Sequence, residues 1–461
     1  MIVNFAERAH NHNFELDPIV RSLLDTDFYK LLMLQFIWKH FRSVRVSFGL
    51  HNRNVKFRLA KMIEREEIVA QLDHVRKLKY RKSELIWLAG NTFYGTRGIF
   101  EPAFLEWLEN EFTLCDYELA ERDGQFELTF EGEWTAVTMW EIYALSILNE
   151  LKTRAALKSM DEFELDILYA HAKTRLWGKI EKLRGVPGLA VADFGTRRRH
   201  SFLWQEFVVE AMHAELGNNF SGTSNTFLAY KHDMEAIGTN AHEIPMAMAA
   251  MAASDDELKQ AQYRMLELWQ KTYGGSLLVM LPDTYGTTQF LEGAPEWVAD
   301  WTGQRVDSKD PFLAGDEYVA WLTKQGKDPK SKLLIASDGL DVQEILSLHA
   351  YFSGLIQPGI SARDFRDAND FKDERKWQQE RRIRFSAGWG TLLTNDFREC
   401  HPRGEHWLEP ISLVCKLTSA EGRPAVKLSD NYLKASGPKS EIERYRKVFG
   451  TAGVANIPVV V

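Results

Sequence analysis

The 461-residue chain reads as α/β, with an irregular α/β barrel in its middle and an α+β domain built from its N- and C-terminal parts. Three observations predict this. From residue 189 onward, short apolar runs alternate with helical tracts over about 200 residues, which is the rhythm of parallel βα units. Several of those runs end in Gly-Thr, Asp-Gly or Asp, the residue types that the C-terminal mouth of a barrel collects. The two ends of the chain lack the alternation and instead mix hairpins with amphipathic helices. The expected organisation is therefore residues 1–150 as an N-terminal α+β domain, 151–399 as the barrel, and 400–461 returning to complete the first domain. No internal repeat or low-complexity linker interrupts it.

The elements follow in order. Asp25-Thr26 are helix-start residues for Leu23–Phe41, where Tyr29, Leu32, Met33, Phe36 and Ile37 fall at helical spacing. Val44–Asn52 predicts a strand, residues 56–77 a charged amphipathic helix, and Glu101–Phe112 another. Phe126–Trp134 alternates as a hairpin strand, and Val137–Thr153 is a strongly apolar helix. Strands are then expected at 189–196, 219–223, 234–239, 276–287, 304–307, 332–339 and 382–391. Helices are expected at 199–216, 241–253, 255–272, 314–325 and 341–353. Ile411–Asp430 predicts a hairpin turning at Glu421-Gly422, and Ser440–Phe449 a last helix.

Composition narrows the function classes. An apolar content of 45% with 26% charged residues is that of an ordinary globular protein. A net charge of −8 gives no global basic footprint for nucleic acid, so any anion site must be a local concentration of Arg and Lys. Cys115, Cys400 and Cys415 are few, odd in number and without metal-type spacing, which fits a reducing cytoplasm. The polar, charged N-terminus has no apolar core of a secretory signal, and no run approaches the roughly 18 apolar residues of a membrane span.

The chemistry concentrates at the ends of the predicted strands. Between residues 195 and 391, five Gly-Thr pairs begin at residues 195, 222, 238, 286 and 390. Glycine lets the backbone approach a ligand, and threonine adds a hydroxyl, so their recurrence points to a phosphate-rich ligand held at several places. Gly238-Thr239 is followed by Ala241-His242-Glu243 and a helix-forming tract, placing a His and a Glu in a first helical turn, where free N–H groups favour anions. A neutral imidazole there could act as a phosphoryl acceptor. Arg197, Arg198 and Arg199 stand just after a strand, where the helix dipole disfavours them unless an anion compensates. Asp307, Asp338 and Asp341 are acids at further strand ends. They can hold Mg²⁺, stabilise developing positive charge, or, for Asp341 equally well, cap a helix.

DTDFYK, DFGTRRRHS, SGTSN, GTNAHE, RVDSKDP, SDGLD, GWGTLLTND and KLTSAEGRPAVKLSD, in this order, resemble the nicotinate phosphoribosyltransferase family across nearly the whole chain, in its bacterial and fungal form. The resemblance implies an irregular barrel of the type II phosphoribosyltransferases, working as a homodimer with shared active sites. It implies an ATP-dependent ligase-class enzyme of NAD salvage that joins nicotinate to phosphoribosyl pyrophosphate, with Mg²⁺, through a transient phosphohistidine. By motif, the phosphohistidine falls on His242 with Thr239 in the same motif. The nicotinate-stacking tyrosine falls on Tyr29, the carboxylate-facing arginine on Arg305, and the ribose-phosphate turn on Gly390 and Thr391. Arg197 and Arg198 are expected at the phosphates, Glu243 and Asp338 beside the oxocarbenium-like centre, and Asp307 and Asp338 as Mg²⁺ ligands. His200, Lys309, Ala387 and Trp389 depart from the family's usual residues, and Lys309 is expected either to add a phosphate contact or to be exposed. Another pyridine base (nicotinamide or quinolinate) and a non-catalytic phosphoribosyl-ligand sensor are the alternatives.

Overall fold

The computed structural model describes residues 17–337, 339–353 and 383–456. In chain order its strands are β1 (Arg45–Asn52), β2 (Thr92–Phe93), β3 (Thr96–Arg97), β4 (Tyr117–Arg122), β5 (Gln125–Glu133), β6 (Val191–Asp193), β7 (Phe220–Thr223), β8 (Val279–Met280), β9 (Gly303–Val306), β10 (Leu333–Ala336), β11 (Arg384–Trp389), β12 (Leu413–Ala420) and β13 (Arg423–Pro424). They form two main sheets and one small hairpin, β2–β3.

The first sheet is antiparallel, in the order β13-β12-β1-β5-β4. Its middle strand, β1, pairs with β5 on one side and with β12 on the other, Val46 lying opposite Ala420. The two ends of the chain thus meet inside one sheet. β5 shows why it is half-buried: Phe126, Leu128 and Phe130 point inward while Glu127, Thr129 and Glu131 point out. Over the sheet runs the Trp140–Leu157 helix, buried nearly all round, as a helix apolar on every face must be. It packs against β12 and against the Thr196–Arg198 turn. Because this helix runs through residue 150, the division at about 150 and 400 remains our proposal, drawn from the shared antiparallel sheet.

The second sheet is parallel throughout, in the order β7-β6-β11-β10-β9-β8. The stretch expected as a strand at 234–239 does not join it as a full strand. It makes a single parallel bridge, Ala236 to Thr223 of β7, and the Asn240 side chain then donates to the carbonyl of Val279 in β8 at 2.9 Å. That irregular segment spans the gap between the two edge strands and gives the barrel its irregularity. The regular ladder fails where Gly238 takes φ +153°.

Other elements refine the sequence reading. The first helix starts at Phe28, with Asp27 as its cap position; Asp25 is instead bound to Arg199, as described below. Residues 56–64 are not helical beyond a 3₁₀ turn at Leu59–Lys61, and the charged helix is Arg65–Lys77. The 22-residue Glu162–Leu183 helix, which the sequence reading left unassigned, opens on a reciprocal capping box between Asp161 and Glu164, a pattern visible in the sequence. No helix among the described residues is long and apolar enough to cross a membrane.

Candidate active site

The cleft lies where the mouth of the parallel sheet faces the antiparallel sheet. Tyr29, Phe194, Arg197, Arg198, Gly238, His242, Glu243, Arg305, Asp307, Gly390 and Thr391 line it from one side, and Arg53, Lys416, Lys427 and Lys434 from the other. Most of the residues expected from sequence therefore meet in one place. Thr239 does not line the cleft; it is buried beside it. Asp338 lies outside the described residues.

His242 is the N-cap of the Glu243–Ala250 helix. Its Nε2 is 2.6 Å from Asp283 Oδ1, and its Nδ1 is 3.4 Å from Lys427 Nζ. Asp307 Oδ2 stands 3.8 Å from Nε2. Burial lowers the imidazole pKa, against the opposing pull of Asp283. His242 and Lys427 hold both Asp283 and Asp307 below the usual carboxylate range, overcoming the burial that would raise them. Asp283 also accepts from Ser308 Oγ at 2.5 Å, so both of its oxygens are occupied.

Glu243, the next residue, is positioned differently. One oxygen accepts from Trp134 Nε1 and the other from the fully buried Lys30. Lys30 also lies 2.7 Å from Glu141, and Glu141 pairs with Arg197 at 3.2 Å. The charge of Glu243 is thus already balanced within the protein, which lessens its availability to a positively charged reaction centre.

The three consecutive arginines diverge. Arg197 and Arg198 line the cleft, Arg198 Nε donating to the carbonyl of Leu413 at 3.3 Å. Arg199 turns away. It is fully buried in a two-point pair with Asp25 at 2.6 and 2.7 Å, so the cluster facing His242 is smaller than the sequence suggests. Arg305 donates one contact, Nη1 to the carbonyl of Asn240 at 3.3 Å, while its buried Nε has no hydrogen-bond partner.

Two of the five Gly-Thr pairs contribute to the cleft, through Gly238 and through Gly390-Thr391. Thr223 instead binds Asp193 at 2.7 Å, and Thr287 binds Asp430 at 2.6 Å. Asp341 is a cap, accepting from the Glu344 N–H at 2.8 Å. Lys309 neither faces the cleft nor is exposed: it is tied to Thr288 at 2.9 Å and to Glu317 at 2.5 Å. His200 keeps an aromatic's place by stacking on Phe397, centroids 3.6 Å apart, with Tyr169 OH 3.1 Å from its Nε2. Trp389 is buried, its indole N–H donating to Leu340 at 2.9 Å. At Gly388 a Cβ would sit 2.4 Å from the Phe194 ring, so the glycine is what lets that aromatic into the cleft wall.

Residues 189–452 match the nicotinate phosphoribosyltransferase (NAPRTase) family model, and residues 24–149 match the model of the NAPRTase N-terminal domain. The chain belongs to the nicotinate phosphoribosyltransferase family. Among solved structures it is similar to the nicotinate phosphoribosyltransferase from Vibrio cholerae, with 28% identity, a TM-score of 0.77 and 94% of each chain covered. It is also similar to that from Porphyromonas gingivalis, with 26% identity, a TM-score of 0.76, and 94% of this chain and 100% of the other covered. A Saccharomyces cerevisiae chain shares the fold at 24% identity and a TM-score of 0.74, over 95% of this chain and 99% of its own.

For a member of this family, the residues that sequence reasoning passed over are Asp283, Phe194, Lys416 and Lys427. Asp283 was legible as an acid closing an apolar run in LLVMLPD. The lysines sit in a hairpin whose alternation equally suits a solvated face, so no local signal separates them from surface residues.

Proposed function

We propose that this chain transfers the phosphoribosyl group of phosphoribosyl pyrophosphate to nicotinate, with ATP hydrolysis coupled through a transient phosphohistidine at His242. Membership of the family carries the transfer itself. The coupling rests on one observation: His242 stands in the cleft between a carboxylate on Nε2 and an ammonium on Nδ1. An acceptor at Nε2 fixes the proton there and leaves the Nδ1 lone pair toward the cationic wall. Nδ1 would attack the terminal phosphorus of ATP as the bond to the ADP oxygen breaks, and water would later release phosphate. Lowered basicity from burial keeps the imidazole neutral and able to attack.

In the transfer, the nicotinate ring nitrogen bonds to the anomeric carbon as pyrophosphate departs with its bonding pair. Tyr29 and Phe194 supply aromatic faces in the cleft, and Arg305, with an unpartnered Nε, suits the nicotinate carboxylate. Arg197, Arg198, Thr391 and the backbone at Gly390 face the phosphates in this reading. Mg²⁺ would offset the leaving-group charge. Asp307, ionised and oxygen-donating at the cleft, fits such an ion, with Asp338 a second candidate from sequence alone. Glu243 serves better to orient the first turn of its helix than to face the substrate. A homodimer and a cytoplasmic setting belong to the same proposal, the latter supported by three cysteines that are all free.

The test is synthesis by purified protein from nicotinate, phosphoribosyl pyrophosphate and Mg²⁺, with and without ATP. ATP-stimulated mononucleotide formation with one ADP per turnover is expected. Product from nicotinamide but not nicotinate would move the substrate and remove Arg305 from its carboxylate role, whereas product from quinolinate, with release of CO₂, would move the substrate to a dicarboxylate and keep that role.

A further inference from the structure

A tyrosine outside the cleft holds one of its walls. β2 and β3 are joined by a two-residue turn, Tyr94-Gly95, with φ of +51° and +75°. Turns with both central residues at positive φ favour Asn-Gly or Asp-Gly, and a tyrosine adopts that backbone only under constraint. A residue held in a sparsely populated conformation invites the question of what it does there.

The answer lies across the domain boundary. The Gly238 N–H donates to the Tyr94 hydroxyl at 2.6 Å, and that hydroxyl donates back to the Gly238 carbonyl at 3.1 Å. The Tyr94 N–H donates to Glu235 Oε1 at 2.6 Å. The hairpin tip therefore grips the irregular barrel segment at two residues, and both backbone groups of Gly238 are held by one phenol. On its other side Gly238 lies directly against the base-stacking candidate: a Cβ there would come within 2.8 Å of the Tyr29 N and 3.1 Å of its Cβ. Burial raises the phenol pKa, so the hydroxyl stays protonated and keeps both its donor and acceptor roles.

We propose that Tyr94 is a positioning residue for nicotinate, setting the distance between the Gly238 backbone and the Tyr29 ring without touching substrate itself. This rests on the reading of Tyr29 as the base-stacking residue. The strain at the hairpin tip is retained because only a long aromatic with a terminal hydroxyl reaches Gly238 from there.

Two variants separate positioning from simple stabilisation. Tyr94→Phe removes both hydrogen bonds to Gly238 and should raise the KM for nicotinate roughly 5- to 30-fold, the worth of one to two hydrogen bonds, with the KM for phosphoribosyl pyrophosphate kept and Tm somewhat lower. Tyr94→Asn relieves the turn while losing the same grip and the packing of the ring, so nicotinate KM should rise whichever way Tm moves; a nicotinate KM that merely tracks Tm across the two variants would mark a residue that only stabilises. Hydrogen exchange at the Gly238 amide should accelerate in both variants. Unchanged nicotinate KM and unchanged exchange in Tyr94→Phe would overturn the proposal. If wild type makes no mononucleotide from nicotinate, the functional reading fails instead, and the exchange result alone decides whether Tyr94 holds Gly238.

Discussion

The two sheets bring different charges to one cleft. The charged residues that the antiparallel sheet and its flanking turns present to it are all cations: Arg53, Lys416, Lys427 and Lys434. The parallel sheet presents a mixture, His242 and Asp307 beside Arg197, Arg198 and Arg305. On the function proposed above, the first wall serves chiefly to hold phosphates, while the second adds the groups whose protonation and geometry decide the reaction. The difference teaches where each kind of damage should appear: losses on the cationic wall in affinity for the phosphorylated ligands, losses on the mixed wall in coupling and base recognition.

The largest break is expected from His242→Asn, which should abolish all stimulation by ATP while leaving ATP-independent synthesis; stimulation equal to wild type would remove His242 from phosphoryl transfer. Asp25→Asn strikes behind the mixed wall, leaving the buried Arg199 charge without its partner. Opening such a pair costs about 3–5 kcal/mol, read as a lower thermal midpoint with the substrate KM values of the surviving protein close to wild type. Arg305→Ala should raise nicotinate KM about 10- to 100-fold, from the roughly 1.5–3 kcal/mol of a hydrogen bond to a charged group. The donor KM should move much less; equal shifts would deny Arg305 its carboxylate role.

The smallest effect sharpens the contrast. Burial and the neighbouring Arg53 and Lys427 push the Lys416 pKa well below its ordinary value. A bound phosphate would raise it again, so binding takes up a proton. Pyrophosphate affinity, measured by calorimetry, should thus weaken as pH rises through the depressed pKa of Lys416. Lys416→Gln should flatten that dependence; an unchanged slope would place the phosphates elsewhere.

The same contrast explains what the sequence could disclose. Part of the mixed wall was legible because its residues sit at strand ends, next to glycines and helix starts that mark them: His242, Asp307 and Thr391 are read this way, while Arg305, inside β9, came from the family resemblance. The cationic wall was not, because Lys416 and Lys427 lie in a hairpin remote in sequence from everything they face. Arg199 shows the opposite error. Beside Arg197 and Arg198 it looks like part of one anion site, yet the fold sends it backward to Asp25, a partner 174 residues away. Neither the direction of a side chain after a 3₁₀ turn nor a distant partner leaves a local mark. The barrel was predicted as an α/β alternation, but its irregular stave at 234–239 was expected as an ordinary strand, since contacts to Tyr94 and Tyr29 govern it.

β1 waits for β12. The strand at residues 45–52 has its neighbour at 413–420, near the other end of the chain, so during synthesis it must stand with one edge open while the whole barrel is made. Lys416, Lys427 and Lys434, three of the four cations on the wall opposite His242, are then the last part of the cleft to be made. That order of assembly makes the exposed edge of β1 the place where chaperone help, or aggregation, is decided.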